Sequence, residues 1–186
     1  MKARIALAVA LFFGPGVAAR AQAPDYPTFE IFGGYSLSRQ QDEANLNGWH
    51  GQAAFNLRDD FGLVADLSAH YMGDEDGFSG IAGLSDTRII SYSVGPRAYN
   101  RSFEPVAIFV HALFGQSRIA GQADLGGGIT EKRTFRPFTM TLGGGVDLEL
   151  TDGVHLRLVE IDYRLLRIES SSSSGIRVST GVNFTF

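Results

Sequence analysis

Cysteine is absent from this 186-residue chain, so no disulfide can hold it together. Lysine is nearly absent as well. Past the first few residues Lys132 stands alone and arginine supplies the remaining cations, whereas soluble proteins usually scatter lysine over their wet faces. No apolar run approaches the roughly 20 residues that a membrane-spanning helix needs. The net charge of −4 argues against a nucleic-acid surface. A chain this size without disulfides must rest on a good core, an oligomer or a membrane, and a membrane here would have to be crossed by strands.

The N-terminus reads as an address. Lys2 and Arg4 precede an apolar stretch from Ile5 to Phe13, Gly14, Pro15 and Gly16 break it, and Ala19 and Ala21 have the spacing that a signal peptidase accepts. Cleavage is predicted between Ala21 and Gln22. Residues 1–21 are then a signal peptide, 22–27 a short lead, and 28–186 one domain.

That domain alternates with a period of two, eight times over. The predicted strands are 28–38, 48–57, 61–72, 87–99, 106–117, 138–150, 154–166 and 175–186. The third is the cleanest, with Phe61, Leu63, Ala65, Leu67, Ala69 and Tyr71 opposed to Gly62, Asp66, Ser68 and His70. The seventh slips phase near Val159 and Glu160, which predicts a β-bulge. The last carries Ile176, Val178, Val182, Phe184 and Phe186 on one side and Arg177, Ser179, Gly181 and Asn183 on the other. Short turns at 58–60, 100–104 and 151–153 alternate with longer segments at 39–46, 73–86, 118–135 and 169–175, read as loops. Short joints at one end and long ones at the other are what an outer-membrane barrel shows. Closure of the first strand on the last would remove every free edge, as lipid requires.

The opening "FEIFGGYSLS", "SVGPRAY" at 93–99, "FVHALFG" at 109–115, "EIDYRLL" at 160–166 and the C-terminal "VNFTF" make the sequence recognisable. It resembles the eight-stranded outer-membrane β-barrel family typified by the membrane domain of outer membrane protein A and by outer membrane protein X. The resemblance covers nearly all of the mature chain. It implies an all-β, eight-stranded, antiparallel up-and-down transmembrane barrel in the bacterial outer membrane. It also implies that Val182, Phe184 and Phe186 form the C-terminal signal read by the β-barrel assembly machinery. Relatives often continue into a periplasmic domain, which is not expected here.

A barrel of this size has an interior that side chains fill. Alternation places Glu30, Asp66, Arg97, Asp147, Glu149, Arg157, Glu160, Asp162, Arg164 and Arg177 inside, where ionised groups must pair or hold water. Asp147 is expected near Arg157, and Asp162, Arg164 and Arg177 near one another. These residues are read as ion pairs filling the lumen, or as a gate whose rearrangement admits ions. His111 and Asp66 could meet inside, but no serine motif surrounds either, so no enzymatic site is expected; a lipid A-modifying enzyme is the remotest reading. The four histidines lie on different strands at depths that do not match, which speaks against zinc. Gly73–Gly77 lacks most of an EF-hand loop. Gly126–Gly128 and Gly143–Gly145 precede no helix and are not phosphate cradles. No cofactor and no nucleic-acid partner are expected, and the barrel should be a monomer in the lipid bilayer. The expected role is structural, with a narrow gated pore as a second capacity. Adhesion through the loops at 73–86 and 118–135 is the alternative.

Overall fold

In the computed structural model, residues 26–40, 45–71, 84–124, 130–168 and 171–186 are described. They form strands β1 (Phe29–Gln40), β2 (Asn45–Arg58), β3 (Phe61–Tyr71), β4 (Leu84–Phe103), β5 (Val106–Asp124), β6 (Thr130–Phe135), β7 (Phe138–Thr151), β8 (Val154–Ile168) and β9 (Ser171–Thr185). β6 and β7 are two lengths of a single stave, interrupted at Arg136 and Pro137, where proline has no N–H to give the ladder. The eight staves pair antiparallel with their sequence neighbours, and β1 pairs with β9 to close the sheet. Phe186 completes the seam: its carbonyl accepts from the Thr28 and Phe29 amides at 2.8 and 3.1 Å, and its own amide donates to Phe29.

The register sets the pitch. Glu30 faces Ala54, which faces Val64, which faces Gly95. Gly95 lies opposite Leu113, and the path continues through Thr141, Arg164 and Gly175 to Gln40. One circuit therefore climbs ten residues of β1, from Glu30 to Gln40. Eight strands with this stagger tilt by about 40° from the axis and leave an interior only as wide as its side chains.

The predicted bulge is present. Val146 pairs with Val159 but Asp147 with Arg157, so Leu158 is the extra residue. It resets the phase so that Arg157 and Glu160 both point inward. All four expected loops are shorter than predicted; β1 runs to Gln40 and β2 starts at Asn45. β4 starts at Leu84 and β5 runs to Asp124 against β6, so most of 118–135 is a hairpin. The serine run from 171 belongs to β9, paired with Ile168 and Arg167 of β8. Serine and glycine have little intrinsic liking for strands, but an adjoining ladder supplies partners for their amides and carbonyls. The predicted cleavage site at Ala21 and Gln22, Gly73–Gly77 and Gly126–Gly128 lie outside the described residues.

The outer face is apolar and the inner face polar. Val94, Val110, Phe55 and Tyr92 are half-exposed or more, while Arg157, Glu160 and Asp162 are fully buried. Glycines on β7 fit the crowded interior. A Cβ on Gly143 would strike the Asp162 carboxylate, and one on Gly145 would come 2.7 Å from Phe109 Cζ.

Candidate functional site: a filled lumen

The side chains inside stack in levels. Nearest the short turns, Glu30 accepts hydrogen bonds from Asn56 (2.7 Å), Tyr99 (3.0 Å) and Asn183 (3.0 Å) and pairs with Arg101 at 2.8 Å. Above it Arg157 donates to both Asp147 oxygens, at 2.7 and 2.9 Å, and to Glu160 at 2.6 Å. Its guanidinium lies between two rings, 4.2 Å from Phe32 and 4.3 Å from Phe109. Such a cation is held by geometry and by its neighbours' polarisable faces as much as by charge. Gln52 links this level onward, donating to Glu160 (2.8 Å) and Asp66 (3.2 Å) and accepting from Arg157 and Arg97.

The next level centres on Arg177. Its Nη2 lies 2.8 Å from Asp66 and 2.6 Å from Asp162, and each carboxylate also meets a histidine: His50 with Asp66 at 2.6 Å, His111 with Asp162 at 2.8 Å. Both histidines come within 4.0 Å of Glu160. Two sets of three potential ligand groups result, His50–Asp66–Glu160 and His111–Glu160–Asp162. Arg177 already supplies the positive charge between them, so a metal ion could enter only by displacing it.

Higher still, hydroxyls take over. His70 meets Ser36 at 2.9 Å, and Arg164 donates to Ser91, which is joined through Ser117 to Thr139. The last level is apolar: Leu46, Ile89, Ile119 and Leu166, buried to 4% exposure or less, form a collar with Phe135 packed on it.

Nine of the ten predicted lumen residues are buried inside. Glu149 is the correction. It stands on the inward side of β7 but beyond the packed levels, exposed at the mouth of a cavity of about 510 Å³ lined also by Asp59, Arg101, Asp152 and His155. The strand ends there, so nothing encloses it. Two further residues face inward without the expected ion pair. Arg97 bonds to Gln52 and Tyr99 and lies 4.4 Å over Phe109, and among the described residues Arg164 meets hydroxyls only. His111, which the sequence would have allowed to meet Asp66, meets Asp162 instead, and His50 and His111 both come within reach of Glu160. Sequence reasoning overlooked Phe32, Gln52, Tyr99 and the collar. Leu46, Ile89, Ile119 and Leu166 do carry a signal, an apolar residue where alternation demands a polar one.

No family model matches this chain, and no curated protein matches it in sequence. Solved structures do. Neisserial surface protein A matches with a TM-score of 0.68 at 15% identity, over 86% of this chain and 97% of that one. Ail, the attachment invasion locus protein of Yersinia pestis, in complex with the heparin analogue sucrose octasulfate, matches with 0.57 at 18%, over 86% and 99%. OprG of Pseudomonas aeruginosa matches with 0.57 at 11%, over 88% and 97%. The fold is that of the eight-stranded outer-membrane β-barrels. An outer-membrane barrel of this width has no lumen to spare, and here the described cavities do not join its two ends. The mouth cavity stops at Glu30 and Asp147, and two others lie in grooves of the outer wall, lined by residues such as Leu142 and Val94.

Proposed function

We propose that this chain resides in the bacterial outer membrane as a monomeric structural barrel, closed to ions at rest. It is inserted through the β-barrel assembly machinery by way of Val182, Phe184 and Phe186. The observation that carries the reading is the pair of seals in series: fully buried Arg157, Glu160 and Asp162 below, and the collar of Leu46, Ile89, Ile119 and Leu166 above. An ion would have to part charges that are already matched, then cross an apolar collar that offers it no polar partner. The lumen therefore acts as a brace joining all the strands. No enzymatic step is assigned to the histidine–carboxylate pairs, because both carboxylates are bound to Arg177.

The test is single-channel recording on refolded chain in a planar bilayer, with heat-modifiable gel mobility to show that the barrel has formed. A silent bilayer is expected, for the native chain and for Leu46→Ser/Leu166→Ser, which opens only the upper seal. Steps appear when Arg157→Ala is added. Conductance by the native chain would overturn the closed reading and favour a gate. A second reading, adhesion, has the β5–β6 hairpin in its favour, because those strands continue past the collar. Shortening that hairpin would abolish attachment to cells or matrix while leaving gel mobility intact.

A further inference from the structure

We propose that an arc of outward-facing arginines binds phosphate-bearing lipid headgroups in the leaflet at the long-loop end. The inference rests on the membrane reading above but not on the seals. Arg39, Arg88, Arg118, Arg136 and Arg167 are all exposed. Each stands on the outer face two residues beyond the lipid-facing column of its strand: Arg39 past Leu37, Arg88 past Ile90, Arg118 past Gln116, Arg136 past Phe138 and Arg167 past Leu165. Allowing for the ten-residue climb of the circuit, all five fall at one height, outside the collar. One step further down the same columns, below Leu37, Ile90 and Leu165, stand Tyr35, Tyr92 and Tyr163, with Trp49 opposite Tyr35, an aromatic layer of the kind that marks a membrane–water interface. The arginines are thus at headgroup level.

Four of the five lie on consecutive staves. Arg118 faces Ile90, two residues from Arg88, and Arg167 faces Phe138, two residues from Arg136. Between the pairs Gln116–Phe138 and Ile119–Phe135, Arg118 comes opposite Arg136. Like charges directly opposite on one face repel, and an anion between them turns that repulsion into attraction. Guanidinium forks suit phosphate in particular, because two parallel N–H groups match two oxygens.

The other end of the barrel differs. There Arg58 is held by Asp60 at 2.7 Å and Arg101 by Glu30 and Asp59. Among the described residues, none of the five arginines of the arc has a carboxylate within ion-pair distance; Arg88 lies 5.1 Å over the Tyr71 ring. Charge compensation is internal at the short-turn end, and at the loop end the lipid supplies it.

The experiment uses the refolded mature chain in detergent, with folding scored by heat-modifiable mobility. Bisphosphorylated lipid A and its dephosphorylated counterpart are offered in competition, and the retained lipid is read by native mass spectrometry. The phosphorylated form should be retained about tenfold better, the factor expected of charge-assisted hydrogen bonds to one phosphate. Arg118→Gln/Arg136→Gln should lose that preference and Arg58→Gln keep it. The single variants Arg118→Gln and Arg136→Gln read the same effect should the double variant fail to fold. Equal retention of both lipids, or an unaltered preference in folded Gln variants, would overturn the proposal. Displacement by equimolar inorganic phosphate would replace the lipid site with a free-anion site. A chain that conducts yet keeps the preference overturns the sealed lumen and not the arc.

Discussion

On β8, Ile161 is 54% exposed and the residues on either side of it, Glu160 and Asp162, are fully buried; on β5, Val110 is 59% exposed beside Phe109 at 1%. The two faces of one strand thus suit different media. In a water-soluble protein the apolar set turns inward, and fully buried carboxylates are rare unless paired. Here the apolar set faces outward, where it suits lipid, and the inner set is a polar core in which nearly every group has a protein partner. The difference teaches where cohesion comes from. The outer face contributes compatibility with the bilayer and little specificity, because one apolar side chain suits lipid much as another does. The inner face carries the specificity, because Asp66 and Asp162 must share Arg177, and Asp147 and Glu160 must share Arg157.

The sharpest way to break this contrast is inside. Arg177→Met leaves Asp66 and Asp162 buried with their main cation gone, which should cost about 3–5 kcal/mol. Urea unfolding in detergent, followed through Trp49 fluorescence, measures it, and adding Asp162→Asn should recover part of the loss. Outside, the equivalent insult is a charge placed in lipid. Val94→Arg near the middle of the apolar band should cost about 2–4 kcal/mol in vesicles, and Ile90→Arg near the interface about 0–1 kcal/mol. Equal costs at the two depths would mean that the outer face does not meet a bilayer core.

Gly143→Val probes the boundary between the faces, forcing a side chain against the Asp162 carboxylate; about 1–3 kcal/mol is expected from overpacking. A fall in refolding yield and in urea midpoint would report it. The smallest effect should come from Arg164→Met. Its partners are hydroxyls, so about 1 kcal/mol is expected from lost hydrogen bonds. A loss as large as that of Arg177→Met would mean that Arg164 answers a carboxylate after all.

Much of this was legible in the sequence, for a physical reason. Alternation records the two media directly, so Asp66, Asp147, Arg157 and Arg177 could be placed inside without coordinates. The bulge was legible too, since one extra residue must shift the phase of everything after it. Proximity across a short turn gave Asp147 with Arg157. Partners on distant strands were not legible: Arg177 meets Asp66 across 111 residues because the sheet closes with a particular stagger. Glu149 was misplaced because alternation assigns a side but not a depth, and the collar went unnoticed because its members sit where strands were expected to give way to loops.

The sequence by itself determined the strands of the domain, which face of each strand is apolar, and that the interior would be charged. Period two and composition are local properties, and the solvent on each side acts on every residue separately. Only the tertiary structure decided that Arg177 joins Asp66 to Asp162, that the ion pairs and the apolar collar stand in series, and that five arginines lie at about one height. Those are consequences of register and tilt, which belong to the closed sheet as a whole and to no single strand.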